Sequence, residues 1–311
     1  MDKNFLPVSL REGKEYYKEF SEFDVVFVTG DPYYDHPLSG MSIIARLLDK
    51  KGYKVGIIAQ PQEDKDYKEC GSPRYFFCIT SGLLDSMLAN YTPMLKKRDN
   101  VIVPERALIV YTQKLKELFS GRITAIGGVE ATTRRFTHFD YKDNKLRRGI
   151  LNDTKADLLF HGSAERSILA LLERMKQTKT GEFELIRDEL DLGSIEGISF
   201  RIRKGEIDPK TRKLPSYEEC AADMEKFNLL TRTFYLLPDE AFIEGCGFGF
   251  IQHNRPCHTL AEKEMDFIYG LPFARKLHPS SKNPEFNKSM VESLQASVVI
   301  GRGCWGSCSF C

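Results

Sequence analysis

From Asp24 onward, short apolar runs alternate with amphipathic stretches. The run DVVFVTG, Asp24 to Gly30, is β-branched, uninterrupted and closed by glycine. That pattern predicts a strand buried on both faces. From Gly40 to Lys51 the apolar positions Met41, Ile44, Leu47 and Leu48 fall on one helical face, and Gly52 follows as a C-terminal stop. KVGIIAQP predicts a second strand, halted at Pro61, and RYFFCITS a third. A helix is predicted from Arg106 to Phe119, then strands at RITAIGG and ADLLFHG, then a helix from Ser163, read as its cap, to Met175. Strands alternating with helices imply a parallel sheet covered on both faces. The expectation is a doubly wound α/β domain over residues 1–180.

After Lys179 the chain is more charged and its periodicity weakens. ISFRIRKGEID reads as an exposed hairpin or edge strand. Ser216 to Glu219 (S-Y-E-E) and Thr259 to Glu262 (T-L-A-E) read as capping boxes that open short helices. Residues 181–290 are therefore expected to be a linker region with small helices. SVVI, Ser297 to Ile300, reads as a strand that opens a further unit at residues 291–311.

Composition narrows the function classes. Lys plus Arg number 45 against 44 Asp plus Glu, a formal charge of +1. Such a balance does not advertise nucleic acid or an acidic membrane surface. The first residues, MDKNFLPVSLREGKEYY, hold no apolar secretory segment, and no apolar run approaches the roughly 20 residues of a membrane helix. Five of the eight cysteines are scattered and three are crowded at the end, unlike a secreted disulfide framework. A cytoplasmic chain that does not meet a membrane is the expectation.

The crowded cysteines lie in GRGCWGSCSFC, with Cys304, Cys308 and Cys311 spaced by three and two residues. Thiolates are soft ligands that suit iron–sulfur clusters or zinc. Gly303 and Gly306 allow the backbone to curl around a compact object. The readings are an iron–sulfur site, a zinc site completed by a distant ligand, or inert thiols.

This loop resembles the signature of radical S-adenosylmethionine (SAM) enzymes. The resemblance extends, in order along the chain, through VTGDPYYDHPLSGM, GYKVGIIAQP, AIGGVEATTRR, KADLLFHGSAERSI and EMDFIYGLPFARKLHPS to the uncharacterised YgiQ family of radical SAM proteins. It implies a 4Fe–4S cluster on Cys304, Cys308 and Cys311, with the free iron chelating SAM. It places Phe310 near the adenine and Arg302 beside the cluster. Such a cluster takes its electron from a donor such as flavodoxin or ferredoxin. In that family the loop follows the first strand of a partial (β/α) barrel, which needs on the order of 200 further residues. The expectation is thus an N-terminal portion of a radical SAM enzyme, with the barrel truncated and the fragment inactive alone, or partnered by a downstream barrel polypeptide.

The α/β domain offers a second candidate site. His36 lies in the loop GDPYYDHPLSG after the first strand, Gly127 and Gly128 follow the fourth, and Gly162 follows the fifth. All are expected at the ligand crevice of an α/β sheet. The arrangement resembles the cobalamin-binding domains that precede many radical SAM barrels, where a D-x-H-x-x-G loop gives cobalt a histidine. This chain departs from that pattern: position 34 is Tyr, and Gly40 lies four residues beyond His36. The departure argues against cobalamin.

Other constellations carry less. Cys246, His253, Cys257 and His258 are close in sequence, but their spacing fits no usual zinc finger, and a loop packing Phe248 and Phe250 is the better reading. The stretch ATTRRFTHFDYKDNKLRRG, with Arg134, Arg135, Arg147 and Arg148 near Phe136 and Tyr141, could meet RNA, but Asp140 and Asp143 dilute it toward a solvated face. Arg275 and His278 precede the cysteine loop, either at a crevice or in a structural linker. The rival functions are a non-catalytic α/β binding module and a zinc-stabilised structural protein.

Overall fold

The computed structural model describes residues 4–178, 183–247, 249–281 and 291–302. Its centre is a nine-stranded sheet. In chain order the strands are β1 (Val25–Thr29), β2 (Val55–Ala59), β3 (Phe76–Thr80), β4 (Ile123–Gly127), β5 (Leu158–Phe160), β6 (Ile198–Ile202), β7 (Arg212–Leu214), β8 (Phe242–Cys246) and β9 (Gly249–His253). In space they run β7-β8-β9-β6-β5-β4-β3-β1-β2. The five strands from β1 to β5 are mutually parallel. The doubly wound expectation is borne out.

Alternation along each strand divides the core. Val25 and Phe27 of β1 pack on one face, against Ala45 and Leu48 of helix α1 (Gly40–Lys50) and Ile168, Leu171 and Leu172 of helix α3 (Glu165–Gln177). Val26 and Val28 pack on the other, against Leu108, Tyr111 and Leu115 of helix α2 (Ala107–Leu118). Burying each large apolar side chain contributes about 1.5–3 kcal/mol, so neither layer forms without the other's sheet face. α1 starts where the Ser39 hydroxyl accepts the Ser42 N–H at 3.3 Å. It ends as its sequence predicts: Gly52 takes φ +87°, and Tyr53 N–H returns to Leu48 C=O at 3.0 Å.

The region read as a linker joins the same sheet. ISFRI forms β6, an interior strand antiparallel to β5 on one side and to β9 on the other. The GCGFGFIQH stretch, read as a loop, supplies parts of β8 and β9, an antiparallel pair. Burial alternates along β9, where Ile251 and His253 are buried and Phe250 and Gln252 are half-buried, while β8 is buried at Phe242, Ile243 and Glu244 in succession. The helix expected at Thr259 begins later, as α4 (Glu262–Tyr269), where Ala261 N–H donates to Glu264 at 2.8 Å. Residues 297–300, expected as a strand, have no ladder partner among the described residues, and Val298 and Ile300 are 71% and 98% exposed. An extended apolar segment without a neighbouring strand has nothing to satisfy its backbone in a sheet.

A two-residue strand, Lys276–Leu277, pairs antiparallel with Tyr34–Asp35 and lashes the late chain to the loop after β1. Asp35 anchors it. Its side chain accepts the Ala274 N–H at 2.7 Å and both Nε and Nη2 of Arg46, with both partners buried.

Candidate functional site

β2 and β3 flank β1, so the chain leaves the carboxyl ends of β1 and β3 toward opposite faces of the sheet. A cavity of about 440 Å³ opens at that switch point. Phe27 and Thr29 of β1, Cys78 and Thr80 of β3 and Phe160 of β5 line its inner side. Gly40 at the start of α1 and the first residues of α3 close it from the helical layer. Burial pushes the Cys78 thiol up to about 12, so it is a protonated, apolar wall and not a nucleophile.

The turns around the cavity are tight. Gly128 holds φ +87°, and a Cβ there would lie 2.5 Å from Thr80 Oγ1. Gly128→Ala is therefore expected to destabilise the chain by about 1–3 kcal/mol, read as a lower denaturant midpoint at unchanged slope. Beneath the next turn, Asp31 Oδ2 accepts the Leu83 N–H at 2.6 Å, and burial raises its carboxyl to about 6.

At one wall Arg302 donates from Nη1 to Glu165 Oε1 at 2.5 Å and from Nε to the Tyr269 hydroxyl at 2.8 Å. Arg302 also lines the cavity. Farther back, Arg275 Nη1 donates to Ser297 C=O at 3.1 Å. These bonds fix where the chain runs two residues before Cys304.

Of the residues singled out from sequence, Gly127, Gly128, Gly162 and Arg302 meet around this one cavity. His36 stands apart. It is fully buried and stacks on Tyr34 at 4.9 Å between ring centres. Its Nδ1 accepts the Leu38 N–H at 3.1 Å, and its Nε2 lies 3.4 Å from Arg275 Nη1. Burial lowers its pKa. Cys304, Cys308, Phe310 and Cys311 lie outside the described residues. Thr29, Thr80, Glu165 and Tyr269 were not legible as site residues. Glu165 carried a faint signal, two positions beyond Ser163, but the cap of α3 is Ala164 and no side chain caps it.

The other constellations separate. Cys246 Sγ faces Asn152, Cys257 Sγ lies 3.1 Å from Ser167 Oγ, and His258 is exposed beside Glu196. Among the described residues no group of three or more His, Cys, Asp or Glu could hold a metal ion. The arginines of the basic stretch have partners inside the chain: Arg134 grips Asp85 with two bonds, Arg147 pairs with Asp153, and Arg148 with Glu218. Phe136 is buried. Among the described residues no helix is long and apolar enough to cross a membrane.

The family model described as radical SAM N-terminal matches residues 5–296. The chain belongs to the radical SAM N-terminal family. Its curated relatives include UPF0313 proteins of Methanocaldococcus jannaschii, 42% identical over 320 residues, and of Geobacter sulfurreducens, 41% identical over 329. Each alignment covers 99% of this chain and 51% of the relative. A UPF0313 protein of Thermotoga neapolitana is 38% identical over 99% of this chain and 54% of its own length. The chain thus spans about half the length of the curated relatives it matches. The radical SAM N-terminal match takes in the whole nine-stranded sheet and stops 15 residues short of Cys311.

Proposed function

We propose that this chain supplies the α/β domain and the cluster-ligand loop of a radical SAM enzyme of the YgiQ kind. The observation that carries the reading is the family match over residues 5–296, followed at once by the C-x₃-C-x₂-C loop. The donor set fits the group: three soft thiolates on Cys304, Cys308 and Cys311 suit a 4Fe–4S cluster with one iron left without a protein ligand. When bound, such a cluster supplies the electron, drawn from a flavodoxin or ferredoxin, that splits SAM to a 5′-deoxyadenosyl radical. The chain's own part is positional. Arg302, held by Glu165 and Tyr269, ties the segment entering the loop to the cavity wall. Cobalamin does not fit: His36 does not line the cavity, and its Nε2 lies 3.4 Å from the Arg275 guanidinium.

The test is anaerobic reconstitution of the chain with iron and sulfide. The native chain is expected to retain iron and acid-labile sulfide at about four of each. Replacing Cys304, Cys308 and Cys311 together by Ala abolishes both. SAM cleavage is expected of a protein with the relatives' full length, and not of these residues alone. Retention of zinc without sulfide would leave a binding module or a zinc-stabilised protein instead.

A further inference from the structure

We propose that the switch-point cavity binds an uncharged, mainly apolar organic molecule that carries hydrogen-bond acceptors. Its volume of about 440 Å³ suits a ligand the size of a substituted bicyclic aromatic. Phe27, Ile79 and Phe160 make its floor apolar. Two of the polar groups that face it are placed to donate, while Glu165 Oε2 is buried at the same wall without a hydrogen-bond partner of its own. The Thr29 and Thr80 hydroxyl oxygens already accept the N–H groups of Asp31 and Gly82, each at 3.2 Å, which leaves their protons to give. The first turn of α3 has no side-chain cap, so its leading N–H groups also want acceptors.

Charge on the ligand is disfavoured. Among the described residues the cation at the wall is Arg302; it is paired with Glu165, and an anion would have to displace that carboxylate. A cationic ligand would meet Arg302 together with its paired carboxylate, a wall with no net charge to hold it. Two exposed glycines, Gly40 and Gly162, stand at its rim and add no side chain to it. A Cβ added at Gly40 or at Gly162 would meet no atom within 4 Å. Gly40 is not in the left-handed region, so nothing in its backbone calls for glycine. An apolar-lined cleft of this size at the switch point of an α/β sheet is where such folds take a ligand.

The inference does not rest on the radical reading and is tested without iron. The probe is 6-propionyl-2-(dimethylamino)naphthalene, an uncharged aromatic ketone, titrated into the whole chain and followed by its fluorescence. Saturable binding at one site per chain with blue-shifted emission is expected. Gly40→Trp should fill the cavity and weaken binding at least about tenfold, with unchanged circular dichroism and melting. Gly205→Trp, where an added Cβ likewise meets nothing, should bind like the native chain. If Gly40→Trp does not fold, Gly40→Leu takes its place. On the native chain, 2-(dimethylamino)naphthalene, which lacks the carbonyl, and naphthalene-2-sulfonate, which is charged, should each compete several-fold more weakly than the ketone. Non-saturable binding overturns the proposal. So does equal affinity of the Gly40 and Gly205 variants, or equal competition by the carbonyl-free or charged compound.

Discussion

Asp35→Ala is expected to cost about 3–5 kcal/mol of stability. Both partners of the Asp35–Arg46 pair are buried, with side chains 0% and 3% exposed. Removing the carboxylate leaves the Arg46 guanidinium without its counterion inside the protein. Burial by itself would lower the Arg46 pKa, but the bonds and charge of Asp35 hold it above its ordinary value. The same carboxylate accepts the Ala274 N–H, so the Lys276–Leu277 strand loses its anchor as well. Two measurements check this. Denaturant unfolding gives the global cost. Hydrogen exchange at Ala274 to His278 should accelerate more than exchange in β1. Replacing both partners by apolar residues of similar volume, Asp35→Leu with Arg46→Met, should recover much of the loss. A single variant within about 1 kcal/mol of the native chain would contradict the account.

Glu244→Gln is expected to stabilise the chain above neutral pH, and by much less at pH 5. Glu244 is buried in β8, and desolvation raises its carboxyl to about 7. Its Oε1 accepts the Thr137 N–H at 3.0 Å, while its Oε2 stands 3.9 Å from His253 Nε2 with no hydrogen bond to either atom. The folded state therefore keeps a proton that the unfolded chain has already released at its ordinary carboxyl pKa. Stability must fall as pH rises from the ordinary value of 4.5 toward 7, and the loss is complete above that. The amount is on the order of 3 kcal/mol. Glutamine keeps the bond from Thr137 and cannot ionise, so it removes this loss. The surroundings titrate too, in the opposite sense. Burial, and then Arg135, hold His161 down to about 3, and burial keeps His253 neutral as well. Ser199 meets His253 Nδ1 at 2.9 Å, and Arg135 meets His161 Nδ1 at 3.0 Å. Both histidines cost stability as pH falls below the ordinary histidine value, in native chain and variant alike. The difference between the two proteins isolates Glu244. Parallel unfolding profiles from pH 5 to 8 would show that its carboxyl is not raised.

The parallel half of the fold was legible because its strands are buried on both faces. VVFVT, VGIIA and FFCIT are apolar at nearly every position, and that run is visible without any neighbour. The other half, antiparallel except where β7 runs parallel to β8, was harder to see. β6 to β9 carry Arg201, Lys213, Glu244 and Gln252 among their apolar residues, and their pairing depends on partners as far apart as Ser199 and His253. A weakly alternating segment looks like a linker until its neighbour is known. The glycines of the cavity announced themselves, since Gly127–Gly128 and Gly162 end strands. Glu165 and Tyr269 did not, because nothing local links them to a residue 137 or 33 positions later.

Sequence by itself determined the radical SAM N-terminal relationship, the close spacing of the three last cysteines and the order of strands and helices in the α/β half. Those are properties of residue type and spacing, which the chain carries before it folds. Tertiary structure decided where the cavity lies, that Arg302 forms its wall, that His36 turns away from it, and that Asp35 spends its charge on Arg46. Each of these depends on which distant groups burial forces together. Burial acts on the whole chain at once, and no local pattern records its outcome.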